Sequence, residues 1–193
     1  MTLLILGLAL FLAVHSVRLF ADGWRTRQIA RVGTLQYRIG HSVLALAGLV
    51  LIVIGYAQAR LDPLWLWQTP IWTRHLAALL TLPAFLLLAA ACVPGTHLKA
   101  RISHPLLAAV KLWALAHLLA NNTLADLLLF GGFLVWSVAA FAVSRRRDRR
   151  EGKARPAAAV RNDAIAVVLG VLAWGVMARF LHAPLFGVAP FGG

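Results

Sequence analysis

Residues 124–150 read LADLLLFGGFLVWSVAAFAVSRRRDRR. The part from Leu124 to Val143 carries one ionisable side chain, Asp126, and the part after it is dominated by arginine. About 20 mostly apolar residues are needed to cross the roughly 30 Å hydrocarbon core of a bilayer. Lipid offers the backbone no hydrogen-bond partner, so a stretch of this kind has to close its own bonds as a helix. The arginine run then marks the point where the helix leaves lipid on the cytoplasmic side.

Five further stretches have the same character: Thr2–Phe20, His41–Ala59, His75–Val93, Pro105–Asn121 and Ala164–Leu181. Pro105–Asn121 is interrupted by Lys111 and His117, and a tight turn at Asn121-Asn122-Thr123 joins it to Leu124–Val143. The expected fold is all-α: a polytopic transmembrane helix bundle of about six helices, forming one domain over residues 1–193. Composition agrees. The chain is 61% hydrophobic and 13% charged, with mean hydropathy +0.81, whereas soluble domains are about 45–50% apolar and about 25% charged. The first stretch has neither a basic leader nor a small-x-small cleavage site, so it is expected to stay as a helix.

The net charge of +13 does not indicate nucleic acid, because the basic residues sit between apolar runs. They cluster after the first stretch (Arg25, Arg27, Arg31, Arg38), after the third (Lys99, Arg101) and in residues 144–162. The connections at 61–73 and 121–123 have no Lys or Arg, and the tail after His182 is uncharged. Basic and non-basic connections therefore alternate. The positive-inside rule then predicts a multi-pass protein of a bacterial inner membrane with both termini periplasmic and 144–162 as a cytoplasmic loop touching anionic lipid. Trp65, Trp67 and Trp72 are expected to form an interfacial belt at the opposite face. Cys92 is the only cysteine, which excludes an intrachain disulfide and covalent c-type haem attachment.

Ionisable groups inside spans are costly and point to function by default. His15 and His117 fall inside their stretches, with Lys111 also within the fourth. His41 and His104 stand at span starts, and His75, His97 and His182 at or beyond span ends, where a wetted interface explains them. His104 and Lys111, seven apart, share a helix face. Imidazoles on facing helices are what a b-type haem requires. By depth, His15 lies about 20 Å from the outer end of its helix and His117 about 6–7 Å from it, which pairs His15 with His41 or His104. The chain has no HExxH, Walker, GxSxG or dinucleotide motif.

Several segments together resemble the NnrU family of membrane proteins. They are Ala13-Val14-His15-Ser16-Val17-Arg18, His104-Pro105, Lys111-Leu112-Trp113 through His117 to Asn121, Ser144-Arg145-Arg146-Arg147-Asp148, and the tail Leu181-His182-Ala183-Pro184-Leu185-Phe186-Gly187-Val188-Ala189-Pro190. The resemblance implies a setting in nitrite and nitric oxide metabolism of denitrifying bacteria. A relative, the haem-dependent zeta-carotene isomerase, implies haem b with His15 and His117 as iron ligands. His104 and Lys111, from their place at and in the fourth stretch, are further candidate cofactor-site residues. The isomerase's cysteine three residues before the second histidine is Ala114 here.

Two other classes stay open. Arg101-Ile102-Ser103-His104-Pro105, Asn121 and the basic run ending at Glu151 look like the isoprenylcysteine carboxyl methyltransferases. That likeness implies S-adenosylmethionine bound at the cytoplasmic face near His104. A non-enzymatic partner of another membrane protein is the third class. Whether the chain is an enzyme is undecided by these residues.

Overall fold

The computed structural model describes residues 1–154 and 157–190; Arg155 and Pro156 of the basic connection lie outside them. The elements are α1 (Thr2–Phe20), α2 (Asp22–Val32), α3 (Thr34–Ala59), α4 (Trp72–Cys92), α5 (His97–Ile102), α6 (Pro105–Ala120), α7 (Leu124–Arg150), α8 (Val160–Val176), a π-helical turn (Met177–Leu181) and α9 (His182–Phe186). Helices α1, α3, α4 and α7 are each long and apolar enough to cross a membrane, as is the continuous stretch Val160–Phe186, and α6 is a shorter apolar helix. No strand forms among the described residues. The chain is a polytopic helical membrane protein.

Side-by-side packing runs α3, α1, α7, α6, α4, α8. The surface left over is apolar: Val43, Leu46 and Val53 of α3 and Val167, Val168 and Leu172 of α8 are all exposed. In water such a surface would be untenable, and in lipid it is the normal outer coat. Because the helices alternate in direction, the basic connections gather at one end of the bundle and Trp65, Trp67 and Trp72 at the other. Met1 and the tail both lie at the tryptophan end. Three of the 19 Lys and Arg residues, Arg60, Arg74 and Arg179, also stand there.

The boundaries depart from expectation where helices outrun the lipid. Helix α3 begins at Thr34, about two turns before His41, and α7 continues through the arginine run to Arg150. At 27 residues, α7 is about 40 Å long, more than the hydrocarbon needs. The first basic connection folds as α2, which buries none of its residues.

The close approach of α1 and α3 depends on glycine. A Cβ on Gly7 would lie 2.5 Å from the Ile52 nitrogen, and one on Gly48 would lie 2.9 Å from the Phe11 nitrogen. A Cβ on Gly55 would overlap the Leu4 nitrogen. These obstacles are main chain and do not swing aside. Small residues let membrane helices bring their backbones this close, and Leu4 and Leu8 then pack with Ile52 in the core.

At the tryptophan end, the connection 60–71 pairs with the α6–α7 turn. The Leu66 N–H donates to the Asn122 carbonyl at 2.9 Å, and the Leu124 N–H donates to the Leu64 carbonyl at 2.9 Å. The Asn122 side chain donates to the Trp67 carbonyl at 2.6 Å. Trp65 and Trp72 stay exposed, as an interfacial belt requires.

Replacing Gly55 by Val should force α1 and α3 apart and cost at least ~1–3 kcal/mol. Gly40→Ala, where nothing lies within 4 Å, should be neutral or stabilising by up to ~1 kcal/mol. Thermal unfolding in detergent checks both. Equal behaviour of the two variants would show that the glycine crossing carries no stability.

Two histidine pairs at opposite ends of the bundle

His15 sits on α1 with its ring stacked on Phe11 at 4.1 Å between centroids. Its Nδ1 is 2.7 Å from the Phe11 carbonyl, one helical turn back. The ring faces His41 of α3 at 5.4 Å, nearly edge-on at 70°, and Trp136 of α7 at 6.2 Å. Trp136 in turn donates its indole N–H to Ser16 Oγ at 3.0 Å. This pair opens into a cleft of about 330 Å³ between α1, α2 and α3, with Arg18, Arg25, Arg38 and Tyr37 in its walls.

His117 belongs to the other end. Its Nδ1 is 2.8 Å from the Trp113 carbonyl, and Phe130 of α7 stacks on the ring at 4.6 Å. It faces His182 at 6.4 Å between centroids, with the planes only 21° apart. His182 Nδ1 is 2.6 Å from the Val188 carbonyl, so the tail curls over the ring it follows. Arg60 holds this curl by donating to the Phe186 carbonyl, and Gly187 turns the chain with φ of +70°, a conformation that favours glycine. The π turn Met177–Leu181 immediately precedes His182. Such turns add a residue to the helical register and concentrate at functional positions.

His15 and His117 are therefore not brought together. Their neighbours on α7, Trp136 and Phe130, are about 9 Å apart along the helix, and each histidine faces a different imidazole. The depth argument had paired His15 with His41 or His104, and His41 is the neighbour. His182 had been assigned to the wetted interface. Part of its signal was available: it ends its span at the same face, and nearly the same depth, as His117. The re-aiming by a π turn is invisible in hydropathy.

Rings fill the space between the two pairs. Phe11 meets Phe133 at 5.7 Å, Phe133 meets Trp113 at 5.7 Å, and Trp113 meets His117 at 5.2 Å. Ala114 is fully buried in the core, so its position has no thiol to offer an iron.

His104 and Lys111 do share a face, as their spacing predicted, and they flank Phe141. Lys111 Nζ lies 3.7 Å from that ring's centre, and the His104 ring lies 6.3 Å from it. His104 Nε2 is 2.8 Å from Asp148 Oδ2, in ion-pair contact but not an aligned hydrogen bond. Arg145 lies near the Arg101 and Ile102 carbonyls at 3.4 and 3.3 Å. The residues named for an adenosyl donor thus hold α5, α6 and α7 together.

Behind His117, Asp126 is buried. It caps α7 through Thr123, whose N–H and hydroxyl reach Oδ2 at 3.0 and 2.6 Å. Its other oxygen accepts the Tyr56 hydroxyl at 2.5 Å. One carboxylate thereby ties α3 to the α6–α7 turn.

The fold and its histidines define a class: a multi-pass helical membrane protein with imidazole pairs near both ends of the bundle. Within that class, the chain belongs to the NnrU protein family, whose model matches residues 3–190. No curated protein matches it, and no solved structure does.

The donors around His117 and His182 fit a b-type haem in kind. His117 and His182 are neighbouring imidazoles on different helices, the donor type that holds a haem iron. A metal-bound histidine typically donates its second nitrogen to a carbonyl, which fixes the tautomer. Both rings have such a carbonyl. At the other end His15 has the Phe11 carbonyl and His41 the backbone of Val14.

Removing the Asp126 carboxylate strands the Thr123 N–H and the Tyr56 hydroxyl. Asp126→Ala should cost ~2–4 kcal/mol, and Tyr56→Phe, which removes one bond only, ~1 kcal/mol. Thermal unfolding of both variants decides this, and an Asp126→Ala loss no larger than that of Tyr56→Phe would place the network outside the stability of the bundle.

Proposed function

We propose that this NnrU family protein binds haem b and works in the nitrite and nitric oxide metabolism for which the family is named. In this reading His117 and His182 would hold the haem iron. The observation that carries it is their geometry: facing rings 6.4 Å apart, each with Nδ1 committed to a main-chain carbonyl. That commitment leaves Nε2 of each ring as the free nitrogen. His15 is replaced as the second ligand by His182, the histidine that His117 faces.

The bound haem would supply one-electron exchange within an apolar shell. The chain's own groups do the rest. The Trp113 and Val188 carbonyls orient the imidazoles and fix which nitrogen faces away from the main chain. Phe130 and Trp113 wall the site with aromatic surface and keep water out. The Arg60 contact to the tail keeps His182 over His117. Ala114 stands where the isomerase relative has its cysteine, which favours nitrogen-oxide metabolism over isomerisation for this chain.

The basic end is assigned to the cytoplasm of a bacterial inner membrane and both termini to the periplasm, on the strength of the charge asymmetry between the ends. Alkaline phosphatase fused after the tail should then be active. An inactive fusion in a stably inserted protein would reverse the orientation.

The haem test is an absorption spectrum of detergent-purified protein, oxidised and then dithionite-reduced. The expected result is a Soret band that shifts on reduction, loses most of its amplitude in His117→Ala and His182→Ala, and survives in His15→Ala. Haem-replete protein without a Soret band overturns the reading. A band lost in His15→Ala and His41→Ala but kept in His182→Ala moves the iron to the basic end.

A further inference from the structure

The cleft beside His15 and His41 is distinct from the pair assigned to haem, and its chemistry is different. Helices α1, α2 and α3 each place an arginine in its wall: Arg18, Arg25 and Arg38. Its volume of about 330 Å³ lies at the lower end of small-ligand sites. Tyr37, Thr34 and Ser42 add neutral hydroxyls, and Val14, Val17 and Ile29 line the rest with apolar surface.

What singles out these arginines is that three of them line one recess. Some other cations at the basic end are held by partners of their own. Lys99 donates to the Ala91 carbonyl at 2.9 Å, Arg147 to the Arg18 carbonyl at 3.3 Å, and Lys153 pairs with Asp148 at 3.6 Å. In the cleft, only Arg25 has a carboxylate, Asp22 at 3.4 Å, in a partly exposed pair of the kind that contributes little. Among the described residues, the guanidiniums of Arg18 and Arg38 have no hydrogen-bond or ion-pair partner. Three guanidiniums with one weakly held carboxylate leave a net charge of two in a recess with a low-dielectric wall. Such a recess concentrates an anion, and guanidinium forks match phosphate oxygens.

We propose that this cleft binds a phosphate group, carried either by an anionic lipid head group or by a soluble phosphate compound. The apolar part of the wall continues onto the lipid-facing surface of α1 and α3, where the chains of a lipid would lie. Basic recesses between membrane helices hold lipid head groups in this way.

The full-length protein is reconstituted in nanodiscs of phosphatidylcholine alone, or of phosphatidylcholine mixed with phosphatidylglycerol. Inorganic pyrophosphate is added to the phosphatidylcholine discs in a third arm. Native mass spectrometry counts retained phosphatidylglycerol, and thermal unfolding reports binding in every arm. One tightly retained phosphatidylglycerol per chain and a raised Tm in the mixed discs assigns a lipid head group. A raised Tm with pyrophosphate alone assigns a soluble phosphate. Either result should weaken about tenfold or more in Arg38→Gln and Arg18→Gln, as expected for loss of a charge-assisted hydrogen bond. Arg150→Gln, in the exposed end of α7, should leave it unchanged.

Retention of helix content by circular dichroism separates loss of binding from loss of fold. No response to either anion in folded wild type overturns the proposal. An equal loss in Arg150→Gln does the same, because it would mean diffuse surface attraction. So would a Soret band lost in folded Arg38→Gln, because haem propionates would then be the occupants.

Discussion

The backbone-to-backbone crossing of α1 and α3 sets the geometry of the His15–His41 pair and the reach of α3 toward the other end of the bundle. At Gly7, Gly48 and Gly55 the neighbouring chain occupies the volume a side chain would need. Contacts this close fix the register of the two helices, because a slip along the axis would bring larger residues onto the same backbone. With the register fixed, His15 meets His41 toward one end and Tyr56 is carried toward Asp126 at the other. In lipid there is no hydrophobic gain from hiding one apolar face against another, so tight packing and satisfied polar groups must supply the specificity. This bundle uses both: glycines at the crossing, and a buried carboxylate where α3 reaches α7.

The two ends are built on different principles. At the tryptophan end, polar groups are fully committed. Asp126 serves Thr123 and Tyr56, Arg60 serves the Phe186 carbonyl, and the imidazoles of His117 and His182 each hold a carbonyl. That saturation produces a fixed arrangement of rings. At the basic end, several arginines remain without an anion, and the cleft they line is open. A site of locked imidazole donors suits a metal, and a site of uncommitted cations suits an anion. The separation follows from the charge asymmetry of the sequence. Concentrating cations at one end disfavours a second positive centre there and leaves the other end freer to accept one.

Much of this was legible in the residues. Apolar length alone located the membrane helices, because in a bilayer the requirement to close every backbone bond leaves no competing structure. Depth along those helices separated His15 from His117 and left His41 or His104 as the partner of His15, of which the structure selects His41. At the opposite face the partner of His117 was hidden, because hydropathy ends the last span at Leu181, whereas the chain continues through a π turn and α9. The helical α2, the early start of α3 and the extension of α7 were also hidden. They lie in water or at the interface, where polar sequence is compatible with helix or coil and tertiary contact decides.

The aromatic residues between the pairs explain how two polar sites coexist in a bundle this small. A histidine inside a span is tolerated only when its nitrogens have partners and its ring faces have contacts. Phe11 covers His15 and Phe130 covers His117. Phe133 and Trp113 occupy the interval, touching the coverings of both. Large flat side chains suit this role, because they fill volume, carry few polar atoms and meet imidazole edges and faces favourably. They also make the sites mechanically dependent on one another. Truncating Trp113 would remove contacts from Phe130, Phe133 and His117 together. A disturbance at either histidine pair therefore meets the other through three packed rings, so α7, which contributes Phe130, Phe133 and Trp136, is the element on which both sites converge.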